Sequence, residues 1–261
     1  MPSPVRRPGP VAAAVPVPSP SRVRGPWGVA VSIAWVILAF ASEAPLRDAA
    51  AALGLPGGRW AAGWAGGWPA ALDRLALWGS ILLVVVLAVR LTDVPLREYF
   101  AWRRPRLADV ALAAGFVLTL YGGLVALTLL AGTADVHAGG TGRTPPGAGP
   151  LAVALAWAPT VLLAPVVEET VFRGFLWHGI ARRHGAAAAL AGTSVVFAAF
   201  HWGYWMRAGG VDLLSVAHYI VMGGVLGMFR LASGSSVVPM VAHAMANGAL
   251  AAFPVVVVAL A

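Results

Sequence analysis

Apolar residues along this chain are grouped in seven long runs, separated by short polar or charged segments. The runs lie near residues 27–44, 74–91, 108–132, 150–172, 186–206, 211–230 and 236–260. A helix of about 20 predominantly apolar residues crosses the hydrocarbon core of a bilayer, and the runs are near that length. The pattern therefore predicts an all-α fold, a polytopic transmembrane helix bundle of about seven spans, within a range of six to eight.

The first 26 residues differ from the rest of the chain. They hold eight prolines and four arginines, and a segment of this composition cannot bury enough apolar surface to fold. We therefore expect a disordered, basic, Pro-rich cytoplasmic arm at 1–26 and one transmembrane domain at 27–261. A signal-peptide core is the alternative for the first run, because Ala39-Phe40-Ala41 offers a small-residue cleavage pattern.

The overall composition agrees with a membrane protein. The 261 residues are 59% hydrophobic and 11% charged, and their mean hydropathy is +0.80. A soluble domain could not bury that much apolar surface. The chain has no cysteine, which excludes disulfides, thiolate metal sites and a cysteine nucleophile.

The net charge of +8 comes from 18 arginines and no lysine. Most arginines lie in the gaps between the apolar runs, and no basic stretch with interleaved aromatic residues lies outside those gaps, so nucleic acid is not an expected partner. Alternate connectors carry twelve arginines on one side and five on the other. The positive-inside rule then places the N-terminus in the cytoplasm and the C-terminus outside. Arginine without lysine, together with many Ala and Gly residues, indicates a GC-rich bacterial genome and hence a bacterial inner (plasma) membrane.

One connector has an unusual sequence. LREYFAWRRPR (96–106) combines arginines with aromatic residues, a composition typical of segments at a membrane surface. We therefore expect this connector to lie along the inner membrane interface.

Two adjacent glutamates lie in the apolar stretch PVVEETVFRGF (165–175), and charged residues inside a bilayer are costly enough to indicate function. On an α-helix Glu169 and Arg173 are four residues and about 40° apart, which allows an ion pair. Glu168 is five residues and about 140° from Arg173, so it does not share that face. We interpret Glu169 and Arg173 as a supporting pair and Glu168 as the general base.

Three more polar residues are candidates for the same site. The fourth and fifth runs form an antiparallel pair joined at RRHGA (182–186), so Glu168 and His201 are both roughly 20–25 Å from that turn. His243 lies only about nine residues into the last run, which predicts a shallower depth unless that helix is kinked or shifted. His243 and Asn247 are four residues apart on one face and can both donate to one oxygen.

The remaining polar and small residues have simpler structural explanations. A histidine inside a membrane commonly bonds to a carbonyl group, and we interpret His178 and His218 in this way. Gly223 and Gly227 have the GxxxG spacing of close helix packing.

Three short motifs around these residues resemble those of the CAAX-prenyl-protease and bacteriocin-processing family, the glutamate-type intramembrane proteases. EETVFR (168–173) is similar to the EExxxR motif of that family, FAAFH (197–201) to its FxxxH motif and HAMAN (243–247) to its HxxxN motif. Each motif alone is weak, but the three in this order and spacing are specific. The resemblance covers roughly residues 150–250, the expected protease-like core.

This resemblance implies an intramembrane endopeptidase that hydrolyses a peptide bond of a membrane-associated protein or peptide. In such an enzyme Glu168 would activate a water molecule, and His201 would help to hold that water. His243 and Asn247 would form the oxyanion site. The substrate and the oligomeric state are left open by the resemblance.

The resemblance also implies that Glu169 and Arg173 support the site. Because the site offers a carboxylate and imidazoles that can activate water by themselves, we further expect that no metal ion or other cofactor is needed. The expected partners are the substrate and the lipid bilayer. The alternatives are a catalytically silent immunity or scaffold protein of the same fold, a zinc-dependent form of the same protease, and a transporter or proton relay. Against them, the motifs are complete, there is no HExxH sequence and no inverted repeat is visible.

Overall fold

The computed structural model describes residues 27–42, 52, 67–132, 151, 154, 157–207 and 210–260. Their helices are α1 (Val29–Ala41), α2 (Gly67–Arg90), α3 (Leu96–Tyr99), α4 (Leu107–Leu130), α5 (Ala164–Glu169), α6 (Trp177–Phe200), α7 (Trp202–Trp205), α8 (Leu213–Ser233) and α9 (Val237–Leu260). Two π-helical segments, π1 (Pro159–Leu163) and π2 (Thr170–Leu176), lie directly before and after α5. A two-residue antiparallel ladder pairs β1 (Met206–Arg207) with β2 (Gly210–Val211).

The prediction of an all-α membrane protein is confirmed. Two helices, α4 and α8, are long and apolar enough to cross a membrane, judged by length and composition. Shorter apolar helices are α1, the Leu75–Arg90 part of α2 and the Val237–Phe253 part of α9. The count of seven spans and the domain boundaries stay predictions, and the arm at 1–26 lies outside the described residues. The short β1–β2 ladder is an addition that the apolar pattern did not predict.

Local sequence signals explain where the last helices begin and end. Asp212 caps α8, because its side chain accepts hydrogen bonds from the backbone N–H groups of Leu214 and Ser215. Gly234, with φ of 66°, ends α8 in the left-handed conformation that glycine adopts without strain. Gly185, with φ of 82°, interrupts α6 inside the predicted turn at 182–186. The antiparallel pair of arms predicted there is therefore present.

Glycines allow α8 to pack tightly against α6. A Cβ atom at Gly223 would lie 3.0 Å from the Cα of Ser194, and one at Gly227 would lie 2.5 Å from Cδ1 of Leu190. Helices this close leave no space for a side chain at the two positions. The GxxxG interpretation of Gly223 and Gly227 agrees with this packing.

The connector at 96–106, which we expected along the inner membrane interface, is partly buried in the helix bundle. Tyr99, Phe100 and Ala101 are at most 3% exposed, and a Cβ at Gly174 would lie 3.1 Å from the Phe100 backbone. Only the charged side chains of this connector, such as Arg97, stay exposed. The aromatic residues are buried because they fill space between helices. That the connector lies at the inner membrane interface stays a prediction.

Candidate active site

The two glutamates lie on a helix whose α-geometry is interrupted on both sides. α5 has six residues, and the π-helical segments π1 and π2 adjoin it directly. Such wide turns are rare and occur mostly at functional sites, where they change the direction of the side chains that follow. Pro165 favours the interruption, since it has no N–H to donate to the preceding turn. Glu168 is 7% exposed and Glu169 is 0% exposed.

Glu169 is held by two side chains at the same carboxylate oxygen. Arg173 Nη1 donates to its Oε1 at 2.9 Å, and His243 Nδ1 lies 3.0 Å from that atom. The Arg173 guanidinium also donates from Nη2 to the Gly223 carbonyl at 2.7 Å and lies 4.7 Å from the centre of the Phe197 ring. The ion pair expected from the spacing is therefore present, and it extends to α6, α8 and α9.

Glu168 faces two imidazole rings across the bundle. Its Oε2 lies 3.8 Å from Nε2 of His201 and 3.9 Å from Nε2 of His243. This oxygen is buried and has no hydrogen-bond partner among the described residues. The sequence placed Glu168 and His201 at one depth, and the structure brings them together. His243 was expected nearer the membrane surface, and the structure instead brings it to both glutamates.

The depth of His243 follows from where α9 begins. Ser235 and Ser236, which precede α9, are at most 1% exposed. The Ser236 hydroxyl donates to the Phe100 carbonyl at 2.7 Å, and the Ser235 hydroxyl donates to the Arg103 carbonyl at 2.7 Å. The helix thus starts inside the bundle, on the buried connector. This displaced helix start explains why His243 lies deeper than its position in the last apolar run predicts.

Hydrogen bonds fix the tautomers of both histidines. His201 Nδ1 lies 2.7 Å from the Phe197 carbonyl, which only accepts, so Nδ1 carries the proton. Glu169 Oε1 already accepts from Arg173, so His243 Nδ1 is likewise the donor to it. When the rings are neutral, each Nε2 is then an acceptor directed towards Glu168. Three acceptor atoms meet at this point, which suits a shared proton or a water molecule.

Asn247 completes a backbone hydrogen bond that Pro165 cannot make. In π1 the Ala164 N–H donates five residues back, to the Pro159 carbonyl. The Thr160 carbonyl would pair in the same way with residue 165, which is a proline without an N–H. Asn247 Nδ2 donates to that carbonyl at 2.9 Å instead. One amide hydrogen of Asn247 is thus occupied, and the second remains on the same nitrogen.

The candidate residues line one cavity of about 550 Å³. Glu168, His201, His243 and Asn247 all contribute to its wall, and so does His218, which we had interpreted as structural. The rest of the wall is largely aromatic or aliphatic, with Phe40, Leu77, Trp78, Ile81, Tyr121, Trp157, Phe172, Phe197, Phe200, Tyr204, Tyr219, Met222 and Leu250. Glu169 and Arg173 lie behind this wall.

His178 does not join the site. Its ring stacks on Tyr99 with 4.2 Å between ring centres, on the side of the connector. No hydrogen-bond partner for its buried Nε2 exists among the described residues. The carbonyl bond that we expected for His178 is therefore absent at this nitrogen.

Residues 150–249 match the family described as "Type II CAAX prenyl endopeptidase Rce1-like". The matched segment covers 100 of the 261 residues, and it is similar to the Rce1-like family. The matched segment contains all three motifs, and it confirms the resemblance to the CAAX-prenyl-protease family. Comparison with curated proteins and with solved structures gave no match.

The matched region is thus similar to a protease family, and it lies in a helical membrane protein. Three parts of its site were not found from the sequence, namely the π-helical turns, the contact from His243 to Glu169 and the bond from Asn247 to Thr160. Pro165 was a signal for the first and the third, because a missing N–H must alter the pairing nearby. The second depends on the burial of the connector, which was not predicted from the sequence.

Proposed function

We propose that this protein is an intramembrane endopeptidase in which Glu168 activates a water molecule for attack on a peptide bond. The observation that carries the proposal is the Glu168 carboxylate, which lies at the cavity wall with Oε2 lacking a hydrogen-bond partner among the described residues. Such a carboxylate keeps its lone pairs for a proton. The match to an endopeptidase family supports hydrolysis as the reaction.

The spacing of Glu168 and His201 suits a bound water molecule. Their atoms are 3.8 Å apart, and one water oxygen at about 2.8 Å from each satisfies this separation. Glu168 removes a proton from the water molecule while the water oxygen attacks the carbonyl carbon of the peptide bond. The same proton then passes to the amide nitrogen, the carbon–nitrogen bond breaks, and a carboxyl group and an amine are released.

His243 and Asn247 stabilise the oxyanion that forms on the carbonyl oxygen. His243 requires a second proton at Nε2 to donate there, and Glu169, which accepts from Nδ1, stabilises the imidazolium that results. Asn247 donates its second amide hydrogen while the first holds the Thr160 carbonyl. One oxyanion donor typically contributes about 3 kcal/mol to transition-state stabilisation.

The substrate that fits this cavity is a membrane-associated protein or peptide with apolar groups beside the bond that is cut. The aromatic wall offers contacts to apolar side chains or to a lipid chain, and the matched family is described as a CAAX prenyl endopeptidase. The protein acts in a bacterial inner membrane, with its N-terminus in the cytoplasm.

Cleavage of a membrane-embedded peptide by the purified protein in proteoliposomes tests the proposal. We expect Glu168→Gln to lower the rate by about 10²–10⁴-fold and to leave helical content unchanged. Glu98→Gln is the matched control, because Glu98 is exposed on the connector. A wild-type rate for Glu168→Gln would show that another group is the base. If the wild-type protein cleaves none of a panel of membrane peptides, the silent scaffold becomes the better proposal.

A zinc-dependent peptidase is the second candidate, because three acceptor atoms meet at Glu168, His201 and His243. Ligand atoms around a tetrahedral zinc ion lie about 3.3 Å apart, which is less than the 3.8 and 3.9 Å found from the carboxylate oxygen. Elemental analysis and exhaustive chelation decide between the two. We expect activity to survive chelation, whereas a loss that added zinc restores would make the three residues metal ligands.

A further inference from the structure

The cavity lies at one end of the helix bundle. Phe40 is the penultimate residue of α1, and His201 directly follows α6. His218 and Tyr219 lie in the first two turns of α8, and Trp157 lies just before π1. In each of these elements the cavity-lining residues lie near the same end of the bundle, which is the end away from Gly185.

The opposite end carries most of the positive charge. It includes the turn at Gly185, the connector at 96–106 and the last turn of α8. Eight arginines of the described residues lie there: Arg90, Arg97, Arg103, Arg104, Arg106, Arg182, Arg183 and Arg230. The carboxylates described at that end are Asp93, Glu98 and Asp109, and the arginines described at the cavity end are Arg74, in the first turns of α2, and Arg207.

We infer that the active-site cavity opens at the non-cytoplasmic face of the membrane, and that the substrate is a polypeptide segment that reaches this face. The inference rests on the proposed peptidase function for its substrate and on charge alone for its orientation. Arginine-rich connectors stay in the cytoplasm during membrane insertion. The cavity end, which is separated from them by the length of the bundle, then faces outward.

The depth of His201 agrees with this placement. It lies 16 residues after Gly185, which corresponds to about 24 Å along a helix. The hydrocarbon core of a bilayer is about 30 Å thick. His201 is therefore near the outer boundary of the core, where water for hydrolysis is close.

Exposed aromatic residues surround the mouth of the cavity. Trp202 is 63% exposed and Tyr204 is 47% exposed, and both directly follow His201. Leu213 and Leu214, at the start of α8, are 74% and 84% exposed. Tryptophan and tyrosine concentrate at the boundary between membrane and water, so this rim fits the outer interface and a substrate that arrives from the lipid.

Single cysteines test the orientation directly, since the natural chain has none. Leu214→Cys marks the cavity end and His184→Cys marks the arginine end, and neither residue lines the cavity. Intact cells are treated with a membrane-impermeant maleimide. We expect Leu214→Cys to be labelled at once and His184→Cys only after the membrane is opened. The reverse pattern would overturn the inference whatever the fate of the proposed activity.

The position of the cut tests the substrate. A single-span reporter with a different epitope at each end is produced with the wild-type protein or with Glu168→Gln, and the fragments are measured by mass spectrometry. We expect a cut in the outer half of the span or just outside it, absent with Glu168→Gln. A cut in the cytoplasmic half contradicts the inference. Outer labelling of Leu214→Cys with no cut in a panel of reporters would leave the orientation standing and remove the peptidase function.

Discussion

Glu168 and Glu169 are neighbours of the same type, and the protein treats them in opposite ways. Glu169 lies in a closed region, where Arg173 and His243 hold one oxygen and no part of the side chain is exposed. Glu168 lies at an open region, where a cavity of about 550 Å³ adjoins it and two imidazole nitrogens stay beyond hydrogen-bond distance. Glu169 is held at Oε1 behind the cavity wall, although its Oε2 has no hydrogen-bond partner among the described residues, whereas Glu168 borders the cavity itself.

The comparison shows why a charged cluster can persist in an apolar bundle. A buried ion that loses its partner is strongly destabilising, so the ion pair of Arg173 with Glu169 must be in place, even though Glu169 Oε2 and Arg173 Nε have no partner among the described residues. The open region tolerates an incomplete set of bonds because it borders a space that water and substrate can enter. His243 belongs to both, since its Nδ1 contacts Glu169 and its Nε2 faces Glu168.

The largest stability effect is expected for Glu169→Gln. It leaves the Arg173 guanidinium buried without its counter-charge, and we expect a loss of about 3 kcal/mol, read as a fall in the melting temperature of the purified protein. Glu168→Gln is the control, and we expect it to be neutral or slightly stabilising, because the carboxylate oxygen has no hydrogen bond to lose. Equal losses for the two variants would mean that the division between the two glutamates is wrong.

A smaller loss is expected for Gly223→Ala. The new methyl group would lie 3.0 Å from the Ser194 Cα and 3.1 Å from its carbonyl, so α8 must move away from α6, at a cost of about 2 kcal/mol. The movement also withdraws the Gly223 carbonyl from Arg173. Gly224→Ala is a close control, because nothing lies within 4 Å of a Cβ there. If both alanines melt at the same temperature, this packing does not support the closed region.

Asn247 allows the structural and catalytic contributions of one residue to be separated. Asn247→Ala removes the donor to the Thr160 carbonyl, and we expect about 1 kcal/mol of lost stability and about 10²-fold lower activity. Adding Pro165→Ala provides a backbone N–H that can serve that carbonyl. We expect the double variant to recover melting temperature but not turnover, and recovery of both would remove Asn247 from the oxyanion site.

The smallest effect is expected at the connector that supports the closed region. Ala101 is 3% exposed and has φ of 52°, a conformation in which a Cβ is strained. Ala101→Gly relieves that strain but makes the unfolded chain more flexible. We therefore expect the free energy of unfolding to change by no more than about 1 kcal/mol. Ala101→Val, with a branched side chain, should destabilise clearly by the same melting assay. An unchanged valine variant would show that the backbone there adapts.

The parts of the site that follow from helix periodicity could be predicted from the sequence. Glu169 with Arg173, and Glu168 at the depth of His201, depend only on the rise and turn of a helix and on one break at Gly185. The approach of His243 could not be predicted, because it depends on how deeply α9 begins. That depth is set by the contact with the buried Phe100. An interfacial scale applied to one residue at a time does not show that Phe100 is buried between helices.

The all-α class could be predicted for a similar reason, since it needs only the length of each apolar run. The π-helical turns beside α5 could not, because they arise where Pro165 removes a hydrogen bond and a side chain from another helix replaces it. The two ends of such a bond are 87 residues apart. A pattern read along one helix does not contain this information.

Ser235 and Ser236, which precede α9, fix the position of that helix along the bundle. Their hydrogen bonds to the buried connector set the height of His243 relative to Glu169 by contacts between protein groups alone. Membranes differ in thickness, and helices commonly respond by tilting or sliding. Here a sliding α9 would have to break the bonds of Ser235 and Ser236 first. We therefore expect the geometry around the two glutamates to be the same in a thin bilayer and a thick one.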